Sequence, residues 1–211
     1  MTVSFVVIAY NEERTIARTL ASILAQTDLA DFEIVLVNDG SRDATLHIVQ
    51  DMAEKHSHIN IIDQPNKGRG ASRAAGVAAA RGDYIAFVDA DIILPPDWLQ
   101  RCLRHMAGYD AAGGIAVPDG DVAFIYNLFD LPPKVTAHTV SVTGSNGLFK
   151  RAVFDKVSFD PSKRNGEDVA FNRDMEAQGI TTVSVSGLIV EHRESKTYKE
   201  SLRWLLSLIH I

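Results

Sequence analysis

Cys102 is the only cysteine in 211 residues, so no intrachain disulfide can form and no cysteine-built zinc site is available. A reducing compartment fits such a chain. Bases are fewer than acids, 21 Lys and Arg against 27 Asp and Glu, giving a net charge of -6 with no Lys/Arg run. That balance argues against nucleic acid as a partner. No stretch reaches the ~20 apolar residues of a membrane span. The amino terminus has no basic n-region, and Val3 to Ala9 is too short for a signal-peptide core, so the expectation is a cytoplasmic protein. A Gly-Lys-Ser/Thr phosphate loop and the Gly-x-Ser-x-Gly elbow of serine hydrolases are both missing. Gly68, Gly70 and Gly76 have the wrong spacing for a dinucleotide fingerprint and follow a later strand, not the first. Internal repeats, low-complexity segments and linkers are absent too, which leaves one domain, and 46% hydrophobic residues are enough for a substantial core.

What is present is organised around Arg81-Gly82-Asp83-Tyr84-Ile85-Ala86-Phe87-Val88-Asp89-Ala90-Asp91. Tyr84 to Val88 is a compact apolar run that reads as a buried strand of a parallel sheet. Asp89 and Asp91 follow where the strand runs out. Side chains two apart in extended backbone point to one side, so the two carboxylates converge while Ala90 turns away. Converging carboxylates repel unless a cation sits between them, and Mg²⁺ or Mn²⁺ is the natural candidate, with open positions for substrate phosphates. A solvated turn leading into the next helix, helped by Pro95 and Pro96, is the competing reading.

Taken in order, Val3–Ala9 reads as a strand ending at Tyr10-Asn11-Glu12-Glu13, and a helix follows with Ile16, Leu20, Ile23 and Leu24 on one face and Asn11 as its cap. Phe32 to Val37 is the next strand, ending in Asn38-Asp39-Gly40-Ser41, and a helix spans about Arg42 to His56. Ile59 to Ile62 is a short strand. The loop Gln64 to Gly70 opens an alanine-rich helix, Ala71 to about Ala80, whose small residues predict close packing on the sheet. This alternation predicts an α/β domain, a mostly parallel central sheet with helices on both faces and ligands at the carboxyl ends of the strands. Tyr10-Asn11-Glu12, Asn38-Asp39 and Asp89-Ala90-Asp91 all fall on that edge.

Beyond Asp91 the pattern loosens. A helix from Pro95-Pro96-Asp97 to about Met106 precedes a strand from Ala111 to Val117, and Pro118 to Val140 is irregular. A short helix covers Arg151 to Val157, and a longer one opens at Glu167-Asp168 and stops at Gly179. Thr181 to Val185 and Leu188 to Val190 read as two short strands, the second ending at Glu191-His192-Arg193. Acids in the first turn of a helix are common because the helix dipole stabilises them. A carboxylate near a metal-bound diphosphate is also what group transfer to a hydroxyl needs, and the loop Arg164-Asn165-Gly166 can aim Asp168 at the sheet edge.

Several motifs in order, Ala9-Tyr10-Asn11-Glu12-Glu13, Asn38-Asp39-Gly40-Ser41, Asn66-Lys67-Gly68, Arg81-Gly82-Asp83-Tyr84 with Asp89-Ala90-Asp91, Gly144 to Phe149, and Gly166-Glu167-Asp168, resemble the family-2 inverting glycosyltransferases of the GT-A fold. The resemblance covers nearly the whole chain. It implies a single GT-A-type domain over 1–195, with 1–116 binding the nucleotide sugar and 117–195 serving acceptor and catalysis. It places Ala9, Tyr10, Glu12, Asp39, Lys67, Gly68, Arg73, Asp89 and Ala90 at the nucleotide: Tyr10, Glu12 and Asp39 on base and ribose, Arg73 helping at the base, Asp89 near ribose and donor sugar. Asp91 is the implied metal ligand, and His192 stands where some relatives reach the metal or diphosphate. Asp168 is the implied general base of a hexosyltransferase-type reaction, with Glu167 beside it orienting donor or acceptor. Departures are few: Ala9 stands for a common proline, Asn38 for an aspartate, and Ala74 for an asparagine after Arg73.

The resemblance implies Mn²⁺ or Mg²⁺, a nucleotide-diphosphate sugar (UDP-sugar favoured, GDP-sugar the alternative) and a saccharide or lipid-linked acceptor. Two competitors remain: a sugar-phosphate nucleotidyltransferase, which calls for a Gly-rich, Arg-containing loop after the first strand, and a non-catalytic nucleotide-sugar-binding protein. The tail, 196–211, places Tyr198, Leu202, Leu205, Leu206 and Ile209 on one helical face. That face packs on the domain's own core, lies at the inner face of the cell membrane, or meets a partner subunit in an oligomer.

Overall fold

Val3, Phe5 and Val7 alternate with Val6 along the first strand, and the two sets enter different cores. Such period-2 burial on both faces requires a sheet covered on both sides. The computed structural model describes residues 1–27, 31–118 and 145–192. The expected tail helix over 196–211 and most of the irregular stretch 117–146 lie outside the described residues.

The elements run β1 (Val3–Ala9), α1 (Ile16–Leu24), β2 (Phe32–Asn38), α2 (Thr45–Ala53), β3 (Ile59–Asp63), α3 (Arg69–Ala79), β4 (Tyr84–Asp89), β5 (Ile92–Ile93), α4 (Trp98–Leu103), β6 (Ala111–Pro118), β7 (Asn146–Lys150), a 3₁₀ turn (Arg151–Asp155), α5 (Glu167–Ala177) and β8 (Thr182–His192). The eight strands form one sheet in the order β3-β2-β1-β4-β7-β6-β8-β5. β1, β2, β3 and β4 pair in parallel. β7 is antiparallel to both β4 and β6, and β8 is parallel to β6, so β6 and β8 point the same way as β4. The carboxyl ends of β1, β2, β4, β6 and β8 therefore share one edge, as the strand–helix alternation predicts.

On one face α1, α2 and α4 contribute Ile16, Leu20, Ile23, Val49, Trp98 and Leu99 to a core with Phe5, Val7 and Leu36. Ile16, Leu20 and Ile23 are fully buried, each stabilising by about 1.5–3 kcal/mol. On the other face α3 and α5 cover Val6, Val35, Ile85 and Phe87. The small residues of α3 allow a close approach: a Cβ on Gly76 would lie 2.3 Å from Val6 Cγ1.

Three local expectations change. Asn11 does not cap α1, which starts only at Ile16 with no side-chain cap bond. Asn11 instead adopts φ 59° and its Oδ1 accepts the Arg42 N–H at 2.8 Å. The second helix likewise begins at Thr45, not near Arg42. Both starts are displaced because the two loops lace together: the N–H groups of Asn11, Glu12 and Glu13 donate to Ser41, Thr45 and Asp43 side chains, and Glu13 accepts the Ala44 N–H in return. Finally, the two short strands expected after Gly179 are one strand, β8. Its register against β6 jumps between Gly113 and Ile115, and Gly187 at φ 67° carries the chain through the bulge.

Candidate active site

At the end of β1, Tyr10 projects with 44% exposure, a ring open to solvent at the shared edge. Glu12 is half-buried, and its carboxylate accepts the Thr15 hydroxyl at 3.0 Å. Ala9 and Ala90 are buried, with their carbonyls taken by the Asp39 N–H and the Thr19 hydroxyl, so they shape the edge through backbone.

At the end of β2, Asp39 is 5% exposed, and its carboxylate organises the next loop. It accepts the N–H groups of Lys67 and Gly68 at 2.9 and 2.8 Å and the Gln64 amide at 2.8 Å. Asn38 beneath it donates to Asp63 at 2.7 Å. Because Asp39 has bonds to both ends of the Lys67–Gly68 turn, the start of α3 is fixed relative to β2.

The glycines of that turn serve packing. A Cβ on Gly68 would meet Arg164 Cα at 2.8 Å, and the Gly70 N–H donates to the Lys163 carbonyl at 3.1 Å. The segment before α5 thus lies directly on the start of α3, where an open phosphate cradle would need free space. At Gly70 a Cβ would sit 2.3 Å from the Asp160 carbonyl oxygen and 2.6 Å from that of Lys163. Gly70→Ala is expected to lower stability by about 1–3 kcal/mol, read as a denaturant midpoint. An unchanged midpoint would mean that 160–164 can move off the helix at little cost.

At the end of β4 the carboxylates meet their partners. Arg73, reaching from α3 and only 3% exposed, donates to Asp89 at 2.9 Å and also pairs with Glu167, itself 2% exposed, at the start of α5. The guanidinium carbon lies 5.7 Å from the centre of the Phe159 ring. Arg73, expected beside the nucleotide base, is therefore placed beneath the edge with its guanidinium between two carboxylates. Burial pushes the Asp89 carboxyl above its usual range against the pull of Arg73, and Asp91 pushes it the same way.

Asp91 faces His192 across the sheet: Asp91 Oδ2 and His192 Nε2 are 2.9 Å apart, although the residues are separated by 101 positions. They meet because β5, just after Asp91, pairs with the last residues of β8, Ile92 opposite His192. Asp91 Oδ1 is buried and has no hydrogen-bond partner. An unpartnered carboxylate oxygen beside an imidazole fits a divalent cation, and carboxylate oxygen suits Mn²⁺ and Mg²⁺. Among the described residues no group of three or more His, Cys, Asp or Glu gathers around one point, and Asp91 with His192 is the pair at this edge that could ligate a cation.

Asp168, next to Glu167, is half-buried, and its Oδ1 accepts the Val169 N–H at 2.8 Å. Gly166, at φ 69°, turns the chain into the helix. Sequence reasoning missed the bridge through Arg73. One signal was available: the buried residues of α3 are Gly70, Ser72, Arg73 and Gly76, and an arginine among small residues on a buried face calls for a buried acid.

Residues 4–158 match the family described as Glycosyl transferase family 2. An uncharacterized glycosyltransferase of Nostoc sp. is 35% identical over 179 residues, covering 77% of this chain and 55% of its own length. The succinoglycan biosynthesis protein ExoO of Rhizobium meliloti is 33% identical over 189 residues, covering 79% of this chain and 53% of its own. The chain thus spans about half the length of these relatives. Among solved structures, S. aureus TarS in complex with UDP-GlcNAc superposes with TM-score 0.77 over 93% of this chain and 60% of its own, at 20% identity. The mannosyltransferase PcManGT of Pyrobaculum calidifontis, in complex with GDP-Man and Mn²⁺, superposes with TM-score 0.73 over 94% of this chain and 59% of its own, at 20% identity. The fold is thus that of the GT-A glycosyltransferases.

Proposed function

The chain belongs to glycosyl transferase family 2, and on that footing we propose that it moves a sugar from a nucleotide-diphosphate sugar to an acceptor hydroxyl with inversion at the anomeric carbon. The observation that carries this reading is the pairing of Asp91 with His192 at the strand edge that also holds Tyr10 and Asp39, with the acidic start of α5 tied to it through Arg73.

In this reading the base of the nucleotide lies against the exposed Tyr10 ring, and Glu12 and Asp39 approach base and ribose, with the Lys67–Gly68 turn beside them. A carboxylate oxygen has two lone pairs, so Asp39 can hold its loop and still accept from a ligand. Asp89 faces the ribose and donor sugar. Asp91 and His192 would hold Mn²⁺ or Mg²⁺, whose charge would offset that of the diphosphate and favour it as a leaving group. Asp168 takes the proton of the acceptor hydroxyl as its oxygen bonds to the anomeric carbon. The bond from that carbon to the diphosphate oxygen breaks on the opposite face, and the nucleoside diphosphate departs with the electron pair.

Pro118 ends β6 and Ser145 precedes β7, so the stretch between them leaves and rejoins the sheet at the site edge. We assign acceptor selection to 117–195, with 1–116 holding the donor. The acceptor class is a saccharide or a lipid-linked saccharide. No helix of the described residues is long and apolar enough to cross a membrane. Contact with a lipid-linked acceptor at the inner membrane face is assigned here to the apolar pattern of the tail, 196–211.

The test is release of nucleoside diphosphate across UDP-, GDP- and dTDP-sugars with Mn²⁺ or Mg²⁺ and a panel of saccharide acceptors. UDP-GlcNAc and GDP-mannose head the panel because TarS and PcManGT were solved with them. Binding of a donor without release under any condition would make this a nucleotide-sugar-binding protein and overturn the catalytic reading.

A further inference from the structure

Among the described residues Arg73 is the only buried Arg or Lys. We propose that Arg73 is a positioning residue that ties the donor end of the site to the base: by holding Asp89 and Glu167 in one buried cluster, it fixes the first turn of α5, and with it Asp168, relative to the donor. The proposal rests on the glycosyltransferase reading above.

Four observations carry it. The first is reach: one guanidinium joins the end of β4 to the start of α5, elements 78 positions apart between Asp89 and Glu167 (167 − 89), and no backbone pairing links them. The second is rigidity. Phe159, its ring centre 5.7 Å from the guanidinium carbon, stacks on Phe171 of α5 at 4.1 Å, so the fork packs near a ring that also packs on the helix it positions. The third is the route back to the nucleotide. α3 starts at the Lys67–Gly68 turn held by Asp39, so Asp39, α3, Arg73 and the start of α5 form one continuous body. The fourth is energetic. A buried ion cluster is a poor stabiliser, because desolvation offsets much of the attraction, and replacing all of its charged members together by apolar side chains of similar volume is often neutral. A buried arginine between two acids is better explained by the geometry it imposes, since a planar fork can hold two carboxylates at set angles and an ammonium cannot.

Glu167 consequently acts through Arg73: it is the handle by which α5 is held, and Asp168 is the group delivered.

The experiment compares Glu167→Gln, Arg73→Lys and the double variant with the intact chain by steady-state nucleoside diphosphate release, alongside thermal midpoints. Misplacing a catalytic group by about 1 Å can cost about 10²-fold, so each single variant is expected to lower kcat between about 10-fold and 100-fold. For Glu167→Gln donor KM should change less than about threefold, because Tyr10, Asp39 and Asp91 remain and the Arg73–Asp89 bond is untouched. The double variant should lose little beyond the worse single one, since both break the same tie. Glu167→Gln keeps the shape of the side chain and serves alone if Arg73→Lys does not fold. A lowered midpoint with unchanged kcat per folded molecule would reduce the cluster to packing and overturn the proposal. Multiplying losses in the double variant would overturn it as well, by showing that Glu167 acts on substrate directly. A wild-type chain with no turnover on any donor would instead bring down the functional reading itself.

Discussion

Asp168→Asn should lower kcat by roughly 10²-fold or more while donor affinity stays within a few-fold. The substitution is close to isosteric, and it removes a proton acceptor without touching the Glu167–Arg73 tie. Its fold cost should be small. The cap position of α5 is Gly166, no side-chain cap bond is present there, and the Asp168 carboxylate accepts only the neighbouring Val169 N–H in the hydrogen bonds described. If Asp168 merely complements the helix dipole, its loss costs at most ~1 kcal/mol of stability and turnover survives. The two roles thus predict opposite patterns in two measurements, kcat and denaturant midpoint. Near-normal kcat would sink the base assignment and move attention to Glu167.

Asp91→Ala is expected to weaken divalent-dependent binding of a nucleoside diphosphate by at least about 100-fold, the upper end of what loss of even an outer-shell partner costs a metal site. The reasoning starts from the buried, unpartnered Oδ1 and the imidazole 2.9 Å from Oδ2. With the carboxylate gone, His192 alone cannot hold a hard cation, and the diphosphate meets Asp89 without a charge between them. Calorimetric titration with and without chelator checks this in the intact chain first. Equal affinity in both conditions would remove the metal from the mechanism. A chelator-sensitive intact chain and a chelator-insensitive, weakly binding Asp91→Ala variant is the predicted outcome.

How legible these features were depends on how local their causes are. Strands such as Val3–Ala9 and Tyr84–Asp89 declare themselves by nearly continuous apolar runs, interrupted only by Ser4 in the first and ended by Asp89 in the second, which only a doubly covered sheet tolerates. From there the placement of Tyr10, Asp39 and Asp91 on one edge followed from parallel topology alone. Helix starts were less legible, because Asn11 looks like a cap but spends its side chain on a neighbouring loop, on Arg42 31 positions away. β5 is two residues long and has no periodicity to detect. β8 reads as two strands because Ser186-Gly187 looks like a turn, whereas the bulge is absorbed by pairing with β6 and by Arg101 donating to the Ser186 carbonyl at 3.1 Å. The Arg73–Glu167 tie spans 94 positions and leaves no trace in local pattern beyond a cation on an apolar face.

The pairing of β5 with the end of β8 also bears on how the protein is made. Synthesis proceeds from the amino end at about 5–20 residues per second, so Asp91 leaves the ribosome roughly 5–20 s before His192. During that interval β1, β2, β3 and β4 can already pair in parallel, since all lie within the first 89 residues. The donor side can therefore take shape on a nascent chain while Asp91 still lacks its imidazole and Arg73 still lacks Glu167. Closing contacts across 101 and 94 positions carries a large loop entropy and comes late. On the function proposed here, a nascent or prematurely terminated chain could retain a nucleotide and yet transfer nothing, so that synthesis itself delays turnover until β8 has been laid down.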